Sequence, residues 1–402
     1  MMKKNDKADT IIKIGLFLIS PFISFLYSLR NMKAKSSYVV FFLFCVFFGM
    51  AFTVGENYTG DSVRYIQQFK EITNYENSKY FEMLDSYREF DEGKKDFYFI
   101  TIAFIVSRIT SNYHALFAVL AMFFAFFQLK SFRFLTNEEK FNTSFTVFLL
   151  AFIFIFSNSI FHINGVRFWT ATWVGVYCIF KIFRNNNKKY FLLAFITPFI
   201  HVSFFAYLFV IAIAYFTKKY ERFWMVMLLI SIPISEVSIG VAQGMESILP
   251  PFISKVIRSY TDVQYIEMRQ EASVWYVQVF RFLEQTIVCI LMLFFYQNKK
   301  QIKLLAPQAM SIYSFLLVWI TFVNFTMAIP SLGVRFFWTS IPFIVYIWLV
   351  AFNSKKYRPL LYIFLVCFSY SFSTVLYRYT QVTELGFYIY NPFYLIYHYL
   401  FI

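Results

Sequence analysis

The sequence predicts an all-α, polytopic integral membrane protein of about 10–12 membrane segments, some of them re-entrant or broken. Three observations predict it. Of 402 residues, 59% are hydrophobic and only 15% are charged, and the mean hydropathy is +0.57. About ten apolar runs approach the ~20 residues a helix needs to cross a ~30 Å hydrocarbon core. Short segments of alternating polarity, the mark of a β-barrel, are absent. No linker divides the chain, so residues 1–402 read as a single membrane domain.

The elements follow in order. Run 11–29 begins after Lys3, Lys4 and Lys7, in the manner of a signal peptide, but Ser28-Leu29-Arg30-Asn31 offers no small-residue cleavage site. It is therefore kept as a segment, and Pro21 within it leaves the side of the N-terminus open. Run 38–54 comes next. The long connection 55–112 follows, with ten acids and six bases in 55–96. The spacing of Val63, Ile66, Phe69 and Ile72 predicts an amphipathic helix lying along a surface. Stretch 97–110 is apolar but short, and reads as interfacial or re-entrant. Runs 113–129, 142–161, 166–183, 190–216, 223–240, 274–296, 308–329, 336–352 and 359–377 complete the set. Loop 241–273, with Pro250-Pro251, reads as a second outer cap.

A net charge of +15 would suggest nucleic acid in a soluble protein. Here the bases gather in six short loops, around Arg30, Lys130, Arg184, Lys218, Lys299 and Lys355. The positive-inside bias makes those loops cytoplasmic and leaves nucleic acid out as a partner. Connections 55–112, 162–165, 241–273, 330–335 and the tail from Arg378 then fall outside. Run 190–216 resists, because basic clusters flank both of its ends. Its 27 residues are too few for two crossings, which need nearer ~40. A re-entrant hairpin, or two short halves broken near Pro198, reconciles this. Irregular backbone at such depth survives only inside protein or beside a wet cavity, which draws attention to Pro198 and His201.

Arg167, in Asn164-Gly165-Val166-Arg167-Phe168-Trp169, and Arg335, in Gly333-Val334-Arg335-Phe336, both open apolar runs on the predicted outer face. The recurrence is short enough to arise by chance in a Phe-rich chain. Arginine presents a planar, always-charged fork to phosphate oxygens, and a helix start adds free N–H groups. Snorkelling to headgroups is the competing reading. Arg281 and Glu284 lie inside run 274–296 and share a helix face. Deep charges face a cavity or pair with each other, so either a substrate contact or a structural ion pair fits them. His201 suits a general base or a phosphate contact, against the alternative of a satisfied core histidine. His162 is a weaker candidate. Asp61, followed by Arg64 and Tyr65, would position sugar hydroxyls or act as a base; the alternative is a helix N-cap.

The four cysteines, Cys45, Cys178, Cys289 and Cys367, lie inside apolar runs without metal-ligand spacing, so neither disulfides nor a metal are expected. No GxSxG, Walker-type loop, HExxH or Asp-x-Asp pair occurs, which counts against serine hydrolases, ATPases, zinc proteases and metal-dependent nucleotide-sugar transferases.

Gly60-Asp61-x-x-x-Tyr65, Val166-Arg167 opening a helix, and His201-Val202-Ser203 in a broken run together resemble the EpsG-like branch of Wzy polysaccharide polymerases. The resemblance covers roughly 55–216, with Arg335 in the second half. Three departures stand out: Phe168 where the family usually has Gln, Asp96-Phe97 where it has Glu-Pro, and Ile200 where it has Phe. The resemblance implies a cofactor-free glycosyltransferase at the outer face of a bacterial plasma membrane. It would join undecaprenyl-pyrophosphate-linked oligosaccharides, with a chain-length regulator as a candidate partner. Arg167, Arg281 and Arg335 would then hold the pyrophosphate. His201 and Asp61 would be the candidate bases, and Arg64, Tyr65 and Glu284 would contact sugar. Other readings are a ligase or O-acyltransferase acting on the same glycans, or a flippase or transporter. A flippase would show two comparable halves, whereas the unusual charges here crowd toward one face.

Overall fold

The computed structural model describes residues 4–54, 61–88, 97–271, 274–329 and 332–402. It is 81% helical, and no strand occurs among the described residues, so the chain is an all-α polytopic membrane protein.

Helices α1 (Lys4–Ile19) and α2 (Pro21–Ser28) form a hairpin on the flank of α3 (Lys35–Met50). Pro21 cannot donate a backbone bond, which breaks the run; Ser20 caps the restart by accepting from Ile23 N at 3.4 Å. Phe17 meets Phe47 on the way in, and Phe25 stacks on Phe44 at 4.2 Å on the way back. Buried Lys13 is satisfied by Asp9 at 2.5 Å and Ser36 at 3.2 Å.

Helix α4 (Asp61–Thr73) buries Tyr65, Phe69 and Ile72, so the expected amphipathic helix exists with its buried face turned toward Tyr65. Helix α5 (Asn77–Arg88) and the 11-residue apolar α6 (Phe97–Ser107) follow. Helix α7 (Tyr113–Thr136) runs antiparallel to α3: His114 reaches the Met50 carbonyl at one end, and Tyr38 bonds Thr136 at the other. A side chain at Gly49 would meet the Phe117 carbonyl oxygen at 2.6 Å, so this close approach requires glycine.

Helix α8 (Phe145–Phe156) stops after 12 residues. Buried Asn158 bridges the interruption: its carbonyl accepts from Trp173 Nε1 at 2.8 Å, and its amide donates to the Trp338 carbonyl at 3.3 Å. A 3-10 turn, Ile160–Gly165, leads into α9 (Val166–Ile179), which a π-turn, Phe180–Arg184, extends. Helix α9 runs parallel to α7, with Phe124 on Trp173 and Phe134 on Phe180.

Run 190–216 is a hairpin within the bundle. Helices α10 (Tyr190–Ala194) and α11 (Thr197–Ile200) ascend along α9, and α12 (Phe204–Thr217) descends. Tyr190 lies on Tyr177, and Phe191 meets Tyr215 at the root. At the tip, both His201 and Phe204 touch Phe168. The break falls at His201, three residues beyond Pro198, which instead occupies the first turn of α11. Both roots therefore adjoin basic residues, which accounts for the charge pattern that resists a simple crossing.

Helix α13 (Glu221–Ser231) is tied by Glu221 to Lys299 at 3.2 Å. Short helices α14 (Val237–Gly244), α15 (Pro251–Thr261) and α16 (Val263–Glu271) occupy the second long loop. Helix α17 (Trp275–Gln297), α18 (Lys299–Leu305), α19 (Pro307–Phe325) and α20 (Gly333–Phe352) follow, then α21 (Arg358–Cys367), α22 (Ser369–Gln381) and α23 (Pro392–Phe401). Helix α20 runs parallel to α9, with Phe336 on Phe168 and Phe343 on Phe180.

Among the described residues, five helical stretches are long and apolar enough to cross a membrane, or six if the pair Lys355–Cys367 and Ser369–Gln381, bent by 55°, counts as one span. Helices α3, α6, α10–α11 and α12 are shorter apolar pieces. Breaks at Ser20–Pro21 and at His201–Ser203 explain why continuous apolar runs become shorter helices.

Candidate functional site

At the end of the bundle opposite the basic loops, the starts of α4, α9 and α20 meet the tip of the 190–217 hairpin. Arg167 stands in the first turn of α9, and its Nε donates to the Tyr65 hydroxyl at 2.8 Å. Its guanidinium carbon lies 4.9 Å from the centroid of the same ring, so a hydrogen bond and a cation–π contact hold one side chain. Tyr65 is buried against Phe99. One turn earlier, the Asn164 side chain accepts from the backbone N–H of Ser62 at 2.8 Å. Asn164 and Arg167 thus staple the first turn of α4 to the start of α9, satisfying a helix-terminal donor in the process.

Arg335 stands in the first turn of α20, with its guanidinium carbon 5.5 Å from the Phe168 ring centroid. Phe168 also meets the His201 ring edge-on at 5.3 Å. The residue that follows Arg167 therefore links Arg335 to His201. A Cβ at Gly333 would lie 2.6 Å from Met327 Cα, so only glycine lets α20 start this close to the preceding turn.

His201 ends α11 in an extended conformation, φ −153° and ψ 122°. Its Nδ1 engages the Ser203 hydroxyl at 2.8 Å and accepts from the Ser203 backbone N–H at 3.4 Å, so the residue two places on holds the ring. His162 packs on Trp169 in the turn that leads into α9.

The remaining predicted residues distribute unevenly. Asp61 begins α4 beside the stapled turn; the Ser62 N–H next to it is met by Asn164, not by Asp61. Arg64 points outward, with 80% of its side chain exposed, and lies 4.0 Å from Asp61. Glu284 is buried in α17, where the Ser371 hydroxyl of α22 bonds it. Among the described residues, no ion pair joins it to Arg281, which is exposed. Among the described residues, no hydrogen bond, ion pair or ring contact ties Arg281 or Glu284 to Arg167, Arg335 or His201. Gly60 and Asp96, two positions of the resemblance, lie outside the described residues.

Phe168 and Asn164 carry no chemistry of their own, and sequence reasoning did not assign them a part. The available signal was spacing: Asn164 precedes Arg167 by three residues, as Ser62 precedes Tyr65. No cluster of three or more His, Cys, Asp or Glu suited to a metal occurs among the described residues. The arrangement can hold an anion, with guanidinium groups at two helix starts, and can place an imidazole next to it.

Fold and site together define a polytopic, all-α membrane protein with arginines gathered at one end of the bundle. The chain belongs to the EpsG family, which matches residues 40–392. Members of that family are Wzy-type polysaccharide polymerase-like proteins. No curated protein and no solved structure matches the chain.

Proposed function

We propose that this protein is a polysaccharide polymerase that joins lipid-linked oligosaccharide repeat units at the outer face of the bacterial plasma membrane. Family membership supports a polymerase-like glycosyltransferase. The observation that carries the finer reading is the contact chain Arg335–Phe168–His201 beside Arg167. It supports the reading because two guanidinium groups and an imidazole come together at one end of the bundle.

In the proposed step, an acceptor hydroxyl oxygen forms a bond to the anomeric carbon of the donor. The bond from that carbon to undecaprenyl pyrophosphate breaks, and its electron pair leaves with the pyrophosphate. Arg167 and Arg335 stabilise the charge that develops on the leaving oxygens. The hydroxyl proton passes to His201 or to Asp61. Tyr65 orients Arg167. Arg281 stands apart from this cluster and has no part in the step. Surrounding lipid and a chain-length regulator complete the proposed partners.

The test is the size distribution of surface glycan in a deletion strain complemented with wild type, Arg167→Ala or Arg335→Ala. The reading expects a ladder with wild type and single repeat units with either variant at normal expression. Loss of one such electrostatic contact typically costs about 10²–10³ in rate. An unchanged ladder in the deletion strain would remove the polymerase reading, and full-length polymer from both variants would remove the arginine assignment.

A further inference from the structure

The basic end of the bundle holds a cavity of about 350 Å³, whose walls include Arg184, Asn186, Tyr215, Lys218, Gln308 and Ser311. Several unusual features meet there. Helix α9 ends in the π-turn Phe180–Arg184, a geometry that is rare and concentrates at functional sites. Asn186, two residues later, adopts φ 50°, which few residues besides glycine and asparagine tolerate. Backbone bonds from Asn185 N to the Phe180 carbonyl at 3.1 Å and from Asn187 N to the Lys181 carbonyl at 2.9 Å hold it there.

The charge is equally one-sided. Among the described residues, no acid lines the cavity. Arg184 is neutralised by Glu138 at 2.7 Å. Lys218, and Lys188 nearby, form no ion pair among the described residues; their ammonium nitrogens lie 4.9 and 6.0 Å from the Tyr215 ring centroid. Two uncompensated ammonium groups near one wall, with amide and hydroxyl donors from Asn186, Gln308 and Ser311, suit phosphate oxygens. The volume falls within the ~300–1,000 Å³ of small-ligand sites.

We infer that this cavity binds a phosphate group, carried either by an acidic phospholipid headgroup or by a soluble molecule. The site is separate from Arg167: the 17 residue steps from Arg167 to Arg184 along α9 and its π-turn span roughly 25 Å. Asn186 precedes α10, and Tyr215 and Lys218 close α12. A bound phosphate would therefore sit between the two roots of the hairpin whose tip carries His201.

Hydrogen–deuterium exchange of the purified full chain tests this, with dioctanoylphosphatidylglycerol or inorganic pyrophosphate titrated in separate arms. The expected result is slowed exchange around 182–190 and 215–219 with at least one of the two. Slowing by the lipid alone identifies a headgroup site, and slowing by pyrophosphate identifies a soluble ligand. Lys188→Gln with Lys218→Gln should weaken the effect by about tenfold or more, given the strength of charge-assisted contacts. Gln308→Ala with Ser311→Ala provides a second variant should the first fail to fold. No slowing with either ligand, equal slowing in both variants, or slowing confined to 160–169, where Arg167 lies, would overturn the inference.

Discussion

The Tyr65 hydroxyl accepts from Arg167 Nε at 2.8 Å, while the same ring lies 4.9 Å beneath the guanidinium. Helix α4, from connection 55–112, thereby sets the direction of the arginine that opens α9. The two contacts separate experimentally. Tyr65→Phe keeps the ring and removes the acceptor, at a cost of about 1.5–3 kcal/mol for a bond to a charged group. Polymer should shorten while protein level holds. Tyr65→Ala should reduce polymer further, toward single units, and glycan size on gels distinguishes the two.

Asn164 should act through stability. Asn164→Ala removes the side-chain acceptor at the first turn of α4 and should cost about 0.5–2 kcal/mol. Asn164→Asp keeps an oxygen in place and should lose less. Thermal melts of the purified protein rank the two; equal losses would mean that the bond to Ser62 is not what matters.

Gly333 is predicted to tolerate no side chain. In Gly333→Ala the new methyl meets the Met327 and Thr326 backbone at 2.6–2.7 Å, so the start of α20 must shift and carry Arg335 with it. Overpacking of this kind costs about 1–3 kcal/mol. Gly240→Ala, where nothing lies within 4 Å, is the matched control and should melt like wild type.

His201 and Ser203 should differ in severity. Ser203→Ala removes the hydroxyl partner of Nδ1 at 2.8 Å, leaving the backbone N–H at 3.4 Å, and should slow polymerisation by roughly fivefold, the worth of ~1 kcal/mol. His201→Ala should slow it by about 10²–10⁴, the usual contribution of a general base. In vitro extension rates measure both. Similar small effects would leave Asp61 as the base.

Arg281 offers the converse case. It is exposed and makes no described contact with the Arg167 cluster, so Arg281→Ala should retain a ladder where Arg167→Ala does not. Single units from both variants would bring Arg281 back to the substrate.

Fold class and much of the site were legible because their signals are local. Apolar length marks helices, and an arginine at the start of an apolar run marks Arg167 and Arg335 without any tertiary knowledge. Basic clusters at both ends of 190–216 exposed the hairpin, since charge bias is a property of loops. What stayed hidden depends on contacts between distant segments. Phe168 looks like one more core phenylalanine until α20 and the hairpin tip close on it. The shared helix face of Arg281 and Glu284 suggested an ion pair, yet Ser371, 87 residues away, supplies the bond to Glu284. The break falls near Pro198, at His201, while Pro198 itself sits in a first helical turn, where proline is at home.

The hairpin also bears on how the protein is made. Its limbs, 190–200 and 204–217, are roughly 16 and 21 Å long, short of the ~30 Å hydrocarbon core. Neither limb can lodge in a bilayer alone as a stable spanning helix. The polar tip at His201–Ser203 finds shelter only once α9 and α20 stand beside it. Biogenesis must therefore hold this segment back until later parts of the chain have been synthesised and inserted. Nascent protein that has emerged only as far as α12 would carry every residue of the hairpin and still lack its binding end.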